Sequence, residues 1–260
     1  MKKVLSIGLA AALGLACIVI VNGCERDRMT PQRADAARKV ELKLAEAEKE
    51  KENMESQHEA ANTALLERAP LPDGYNGGKS PQDATLAAPE TFKVQFVCSN
   101  GNFVVECHRE WAPFGVDRFY NLVVQGFFNE ARFFRVLPGF VVQFGINGDP
   151  ALMGQWGDAT IQDEPVKKGN QKGTLTFAKS PMPNSRSTQL FINLTDNTAQ
   201  LDPQGFSAFG EVIEGMSVVE KISPKYGERP NQMMIQEKGN EYLKSSFPDL
   251  DYVKEAYIAK

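Results

Sequence analysis

Phe133-Phe-Arg-Val-Leu-Pro-Gly-Phe-Val-Val-Gln-Phe-Gly145 places one permanent cation, Arg135, inside an apolar strand pair, and the reading of this stretch decides the fold. Two apolar segments meet at Pro138-Gly139, where proline presets the first corner of a turn and glycine is free to take positive φ. A two-residue loop sets Arg135 opposite Val142, whereas a three-residue loop that includes Phe140 sets it opposite Gln143. The second register leaves Phe134, Val136, Val142 and Phe144 on one wholly apolar face, fit for a core, and brings both polar side chains onto the other. The plainer alternative is an edge hairpin whose arginine lays its stem on apolar surface and keeps its head in water. The rest of the chain decides between them.

The 260 residues, 42% hydrophobic and 24% charged, suffice for the core of one or two domains. A net formal charge of −4 gives no global attraction to nucleic acid. Lys2-Lys3 and the apolar run from Val4 to Val21 read as a secretory signal. The run closes on Val21-Asn-Gly-Cys24, which resembles the bacterial lipobox; residues 1–23 would then be removed and Cys24 would carry lipid. The alternative is an uncleaved anchor, since the run is near the lower limit of about 18 apolar residues for a span. Both expectations place the remainder on the periplasmic side, tethered to a membrane. Cys98 and Cys107 would then be the cysteines left in an oxidising compartment. Lys93 to Cys107 reads as a hairpin turning at Asn100-Gly101, which sets Cys98 opposite Phe103 and Cys107 opposite Val94. The sulfurs share a face but lie about four strand positions, roughly 13 Å, apart, so two buried free thiols are expected.

Residues 24–68 read as a charged helical stalk, with Thr30 as N-cap and Pro31 at the first helical position. A heptad seam can be laid on it, but Lys51, His58 and several alanines make that seam thin. A solvated spacer is expected rather than a stable coiled coil, with a partner along the stalk as the alternative. Residues 69–90 have the proline and glycine density of a linker. Gly78-Lys79-Ser80 within it is no phosphate loop, because Asp73 stands where the first glycine is required. The compact domain spans residues 91–260. Val116 to Gln125 has helical spacing and ends at Gly126; residues 173–178, 189–193 and 207–213 read as strands, and residues 218–222 as a short helix. Residues 147–173 give no assignment. In the C-terminal extension Asn231 to Ser246 reads as helix despite Gly239, and Tyr252 to Ile258 as a strand pairing with the first. Strands outnumber helices, so a sandwich or a closed barrel is expected.

Familiar catalytic groups are scarce. His108, the domain's one histidine, falls on the outer face of its strand, no His and Cys cluster has zinc-ligand spacing, and Asp163-Glu164 reads as solvated charge. What remains is an apolar surface with fixed hydrogen-bond groups: Arg135 and Gln143 from the hairpin, and Gln189 and Phe191 sharing one face of a later strand. Such a set suits a peptide.

In order along the chain, Phe133-Phe-Arg-Val-Leu-Pro-Gly-Phe-Val-Val-Gln143, Gly173-Thr-Leu-Thr-Phe-Ala178, Ser187-Thr-Gln-Leu-Phe-Ile192, Leu201-Asp202 and Phe209-Gly-Glu-Val-Ile-Glu-Gly-Met-Ser-Val-Val219 resemble a cyclophilin-type peptidyl-prolyl isomerase. The resemblance covers about half the chain, Thr91 to Ile222, and says nothing of the stalk. It implies a mainly β fold, a closed antiparallel eight-stranded barrel capped by two helices, with proline-containing peptides and unfolded proteins bound outside the barrel wall. From the residues themselves, no cofactor and no metal are expected. Carried over by position, Arg135 is the catalytic arginine; Phe140, Val141, Phe191, Leu201 and Phe206 line the proline pocket. Gln143 and Gln189 bind peptide backbone, and Ala178, Lys179 and Ser180 border the adjoining groove. Phe134 stands where many members have histidine, and Gln200 where cyclosporin-sensitive members have tryptophan, which implies weak cyclosporin binding. The expected function is prolyl isomerisation for extracytoplasmic proteins; the alternative is a noncatalytic proline-peptide-binding or scaffold module.

Overall fold

A computed structural model describes residues 65–260, with Lys43 and Lys49, both helical and exposed, the single positions described before them. The signal expected over residues 1–23, the lipidated Cys24 and nearly all of the stalk lie outside the described residues. Every element below belongs to the second of the chain's two units, Ala60–Lys260.

Eight strands make one antiparallel sheet curled into a half-barrel. They are β1 (Thr91–Cys98), β2 (Asn102–His108), β3 (Arg135–Leu137), β4 (Val141–Phe144), β5 (Thr174–Phe177), β6 (Leu190–Asn193), β7 (Ala208–Glu214) and β8 (Val253–Ala259), in the spatial order β3-β4-β6-β5-β7-β2-β1-β8. The eight antiparallel strands are as expected from the sequence, but the sheet does not close into the expected barrel. Instead of a ladder between the end strands, the residues leading into β3 and β8 meet at an isolated bridge between Arg132 and Tyr252, with Phe133 N–H donating to the Asp251 carbonyl at 3.0 Å. The C-terminal strand pairs with β1, as expected.

Phenylalanine fills the interior. Phe96 stacks on Phe103 across β1 and β2 at 4.7 Å and meets Phe144 of β4 edge-on, while Phe209 of β7 contacts Phe177 of β5 at 5.1 Å. Helix α1 (Pro113–Val124) closes one opening by lowering Phe119 between Phe96, Phe128 and Phe209. Offset and edge-on ring pairs of this kind add roughly 0.5–1.5 kcal/mol each beyond the apolar area they bury. Helix α1 has no side-chain cap at Ala112. Its first free N–H groups donate instead to Glu164, from Phe114 at 2.6 Å and Gly115 at 3.0 Å, and Glu164 in turn accepts from Arg186 Nη1 at 2.9 Å. Arg186 is 1% exposed and Glu164 8% exposed. Glu164 is therefore a buried anchor rather than the solvated charge its loop context suggests, because two free helix N–H groups, of Phe114 and Gly115, and a buried guanidinium need an acceptor there.

Helix α2 (Pro150–Trp156) occupies part of the passage that gives no assignment from sequence; Asp149 caps it and Pro150 opens it, a pair that could have marked it. Short helices α3 (Thr198–Leu201) and α4 (Met216–Glu220) follow, then α5 (Gln232–Ser246), capped by Asn231 and kinked at Gly239, which takes φ 56°. Two boundaries differ from expectation. Residues 65–69, expected to end the stalk and begin the linker, are extended along the outer edge of β8: Ala69 N–H donates to the Ile258 carbonyl and Lys260 N–H to the Glu67 carbonyl, both at 2.9 Å. Residues 79–88 are tied to the domain as well. Trp156 Nε1–H donates to the Lys79 carbonyl at 2.8 Å, and Asn121 bonds both backbone groups of Leu86. A composition rich in turn residues marks absence of regular structure, not absence of contact.

The first hairpin is also shifted from its expected register. Phe96 pairs with Phe103 and Phe92 with Cys107, two residues away from a turn centred on Asn100-Gly101. Ser99 and Asn100 form the turn because both are claimed from outside: Ser99 Oγ donates to Asp251 at 2.6 Å and Asn100 Nδ2 to the Val218 carbonyl at 3.0 Å. A two-residue slip preserves which face each side chain occupies. Cys98 and Cys107 therefore remain inward and, now about six strand positions apart, are free and buried as expected. Burial raises both thiols above their ordinary range, with Asp251 adding to the effect at Cys98 and Glu106 at Cys107. Neither should react with iodoacetamide at about pH 8 while folded, and both should in denaturant; peptide mapping that finds either labelled in the native protein would show that the interior opens.

Candidate functional site

The hairpin of β3 and β4 adopts the three-residue loop. Phe140 N–H donates to the Leu137 carbonyl at 3.0 Å, Gly139 takes φ 73°, and Arg135 lies directly opposite Gln143. Phe134, Val136, Val142 and Phe144 are buried in the main core, so Arg135 and Gln143 face outward together. The adjoining strand β6 places Phe191 beside Gln143. A row of polar contacts runs across these strands. Arg135 Nη1 donates to Gln143 Oε1 at 3.3 Å, and Gln143 Nε2 donates to Gln189 Oε1 at 2.9 Å. Arg135 Nε also donates to Glu228 Oε2 at 3.2 Å, and its guanidinium carbon lies 5.8 Å from the centre of the Phe140 ring. Glu228 lies in an irregular loop and is absent from the residues singled out by sequence; no periodicity or local motif marks it.

Next to Arg135 is a small apolar cluster outside the main core. Val141, Phe191 and Leu201 are buried, with Phe140, Ala178 and Phe206 packed on them and Phe206 edge-on to Phe191 at 5.7 Å. These six residues, with Arg135, Gln143 and Lys179, line a pocket of about 160 Å³. Beyond Lys179 a second hollow of about 330 Å³ is bordered by Gln143, Ala178, Lys179, Ser180 and Gln189, together with Ser185, Ser187 and Gln232, which sequence reasoning missed. All the site residues expected within the domain thus converge on two adjoining hollows. A further hollow of about 410 Å³ lies between residues 84–87 and α1 and contains none of them. Phe134 is turned into the core, while Gln200 is exposed beside Leu201. Among the described residues no group of His, Cys, Asp or Glu could hold a metal ion.

Beneath the pocket is a polar network that the sequence does not announce. Asn170, fully buried, donates through Nδ2 to Asp202 and to the Phe206 carbonyl, both at 2.7 Å, and accepts from Thr176 Oγ1 at 2.9 Å. Asn193 Nδ2 reaches Asn170 and Thr174, and Asn193 Oδ1 accepts from Asn197, whose amide also donates to the Phe140 carbonyl at 3.0 Å. The carbonyls behind Phe140 and Phe206, and the turn after Leu201, are thereby fixed from one connected set. Such a network specifies a geometry because each member left unpaired would be costly.

The family model for the cyclophilin type peptidyl-prolyl cis-trans isomerases (Pro_isomerase) matches residues 93–239, more than half of the chain. This chain belongs to that family. Peptidyl-prolyl cis-trans isomerase B of Escherichia coli is 34% identical over 137 residues, covering 50% of this chain and 82% of that protein. Peptidyl-prolyl cis-trans isomerase A of Dickeya dadantii is 36% identical over 147 residues, covering 53% and 74%. A Cryptosporidium parvum cyclophilin-type isomerase, solved in the presence of the dipeptide Ala-Pro, aligns with a TM-score of 0.48 at 21% identity over 65% of this chain and 99% of that one. The cyclophilin domain is thus that of an enzyme, a peptidyl-prolyl cis-trans isomerase.

In this cyclophilin domain Asn170→Ala strands the fully buried Thr176 hydroxyl and removes a donor from the half-buried Phe206 carbonyl and Asp202. Urea unfolding should show a loss of about 3 kcal/mol. Stability within about 0.5 kcal/mol of wild type would mean that the network is not closed to water.

Proposed function

We propose that Arg135 is the catalytic group, and that the pocket of Phe140, Val141, Phe191, Leu201 and Phe206 holds the prolyl ring. The observation that carries this reading is a guanidinium fixed at the mouth of an apolar pocket, beside two glutamines on the same outer wall. Rotation about an Xaa-Pro bond meets a barrier of about 18–20 kcal/mol, because the nitrogen shares its lone pair with the carbonyl. As the bond twists, that pair localises on the prolyl nitrogen. A guanidinium donor aimed there gains a hydrogen bond in the transition state that neither planar isomer offers, and this difference lowers the barrier. Arginine suits the position because it keeps its charge beside apolar walls. Phe140 and Phe191 would grip the ring so that the carbonyl side turns, while Gln143 and Gln189 hold the peptide backbone. Ala178, Lys179 and Ser180 would border the residues preceding proline.

The noncatalytic alternative draws on the unusual Phe134 and Gln200. Phe134 is buried away from the pocket, so its identity leaves the outer surface unaltered. Arg135→Ala should lower kcat/KM for a short Xaa-Pro peptide by about 100-fold, a typical loss for removal of one transition-state donor. Equal rates for variant and wild type would remove Arg135 from catalysis; peptide binding without turnover in the wild type would favour the binding module.

We further propose that the enzyme works outside the cytoplasm as a lipoprotein, with residues 1–23 removed, Cys24 lipidated and the following charged segment as a spacer. The support is the basic start, apolar run and Val21-Asn-Gly-Cys24 close of the sequence. Mass spectrometry of the mature N-terminus should find a lipid-modified Cys24; an intact Met1 or an unmodified Cys24 would overturn this.

A further inference from the structure

The loop between α4 and α5 presents a carboxylate to Arg135, and the loop is built to do so. Strand β3 ends the sheet order, so its outer edge has unpaired backbone groups. Val136 N–H fills one of them by donating to the Gly227 carbonyl at 3.0 Å. That bond brings the next residue in the loop, Glu228, alongside the preceding residue of the strand, Arg135. The loop does not depend on this contact alone. Gly227 N–H donates back to the Pro224 carbonyl at 3.0 Å, and Arg229 bonds the carbonyls of Tyr226 and Lys225 at 3.2 and 3.0 Å. Asp249 accepts from Lys225 at 2.5 Å and from Tyr226 at 2.9 Å, and the Tyr226 ring meets Phe247 edge-on at 5.1 Å. Gln232, just beyond the loop, borders the second hollow.

We infer that Glu228 is a positioning residue for Arg135, holding the guanidinium at the mouth of the proline pocket. This inference rests on Arg135 being the catalytic group. A planar guanidinium held at Nε by Glu228 and at Nη1 by Gln143 has both its tilt and its plane fixed. Among the described residues no hydrogen bond engages Nη2, so that nitrogen remains available to a peptide. Gln143 cannot fix the fork by itself, since one contact leaves rotation about the bonded nitrogen. The Glu228 side chain is 66% exposed, where an ion pair adds little to folding. Its effect falls on where Arg135 points, and donor placement is what the isomerisation rate depends on.

The test is a double-mutant cycle on the full chain. Glu228→Ala should lower kcat/KM about fivefold, mainly through kcat, with Tm changed by no more than about 2 °C. Glu228→Gln keeps an acceptor for Nε–H and should stay within about twofold of wild type. In an Arg135→Ala background, Glu228→Ala should have no further effect. An unchanged or faster Glu228→Ala enzyme, a Glu228→Gln enzyme as slow as the alanine variant, or an equal loss in both backgrounds would each overturn the positioning role. If Arg135→Ala itself runs at the wild-type rate, the catalytic assignment fails first, and the two failures are told apart within one set of measurements.

Discussion

The two-residue period of a strand, acting on a sheet whose inner face is already full, governs this structure. Phe96, Phe103, Phe144, Phe177 and Phe209 pack the inside of the curl with aromatic rings. Each inward residue commits its neighbours to the outer wall: Val136 sends Arg135 out, Val142 sends Gln143, and Ile192 sends Phe191. A wall is convex, so a pocket on it has to be built from additions. The loop carrying Phe140, the short helix ending at Leu201 and the turn at Phe206 supply the missing sides, which is why their apolar contacts form a cluster separate from the core.

Those added sides are irregular, and irregular chain next to a pocket needs its backbone groups satisfied. Asn170, Asn193 and Asn197 do this from below, reaching the carbonyls of Phe140 and Phe206. Glu164 with Arg186 does the same for the start of α1. In both places buried polarity is tolerated because it is nearly fully paired, and an apolar replacement of one partner would leave the other stranded.

The hairpin at Pro138-Gly139 was legible because the turn residues allow two registers and apolar alternation favours one of them, and the pocket residues were legible because they sit on regular strands or beside them. The first hairpin shows the opposite case. Asn100-Gly101 is a good local turn signal, yet Ser99 and Asn100 are held by Asp251 and Val218, far along the chain, and the register follows those contacts. Glu228, Glu164 and the asparagine network share that property: each acts through partners distant in sequence, and nothing local distinguishes them from solvated polar residues. The extent of contact made by residues 65–90 was hidden for a related reason, since proline and glycine suppress regular structure without preventing side chains and carbonyls from docking.

Strand β8 receives residues 131–133 against the start of its outer edge and residues 66–69 against its end. The second of these contacts covers Tyr257, Ile258 and Ala259, an apolar run with backbone groups that would otherwise be open. Open, apolar strand edges recruit strands from neighbouring molecules. The chain that leads into the domain therefore covers this edge, and the ordered contacts of the sheet include residues well before the first strand.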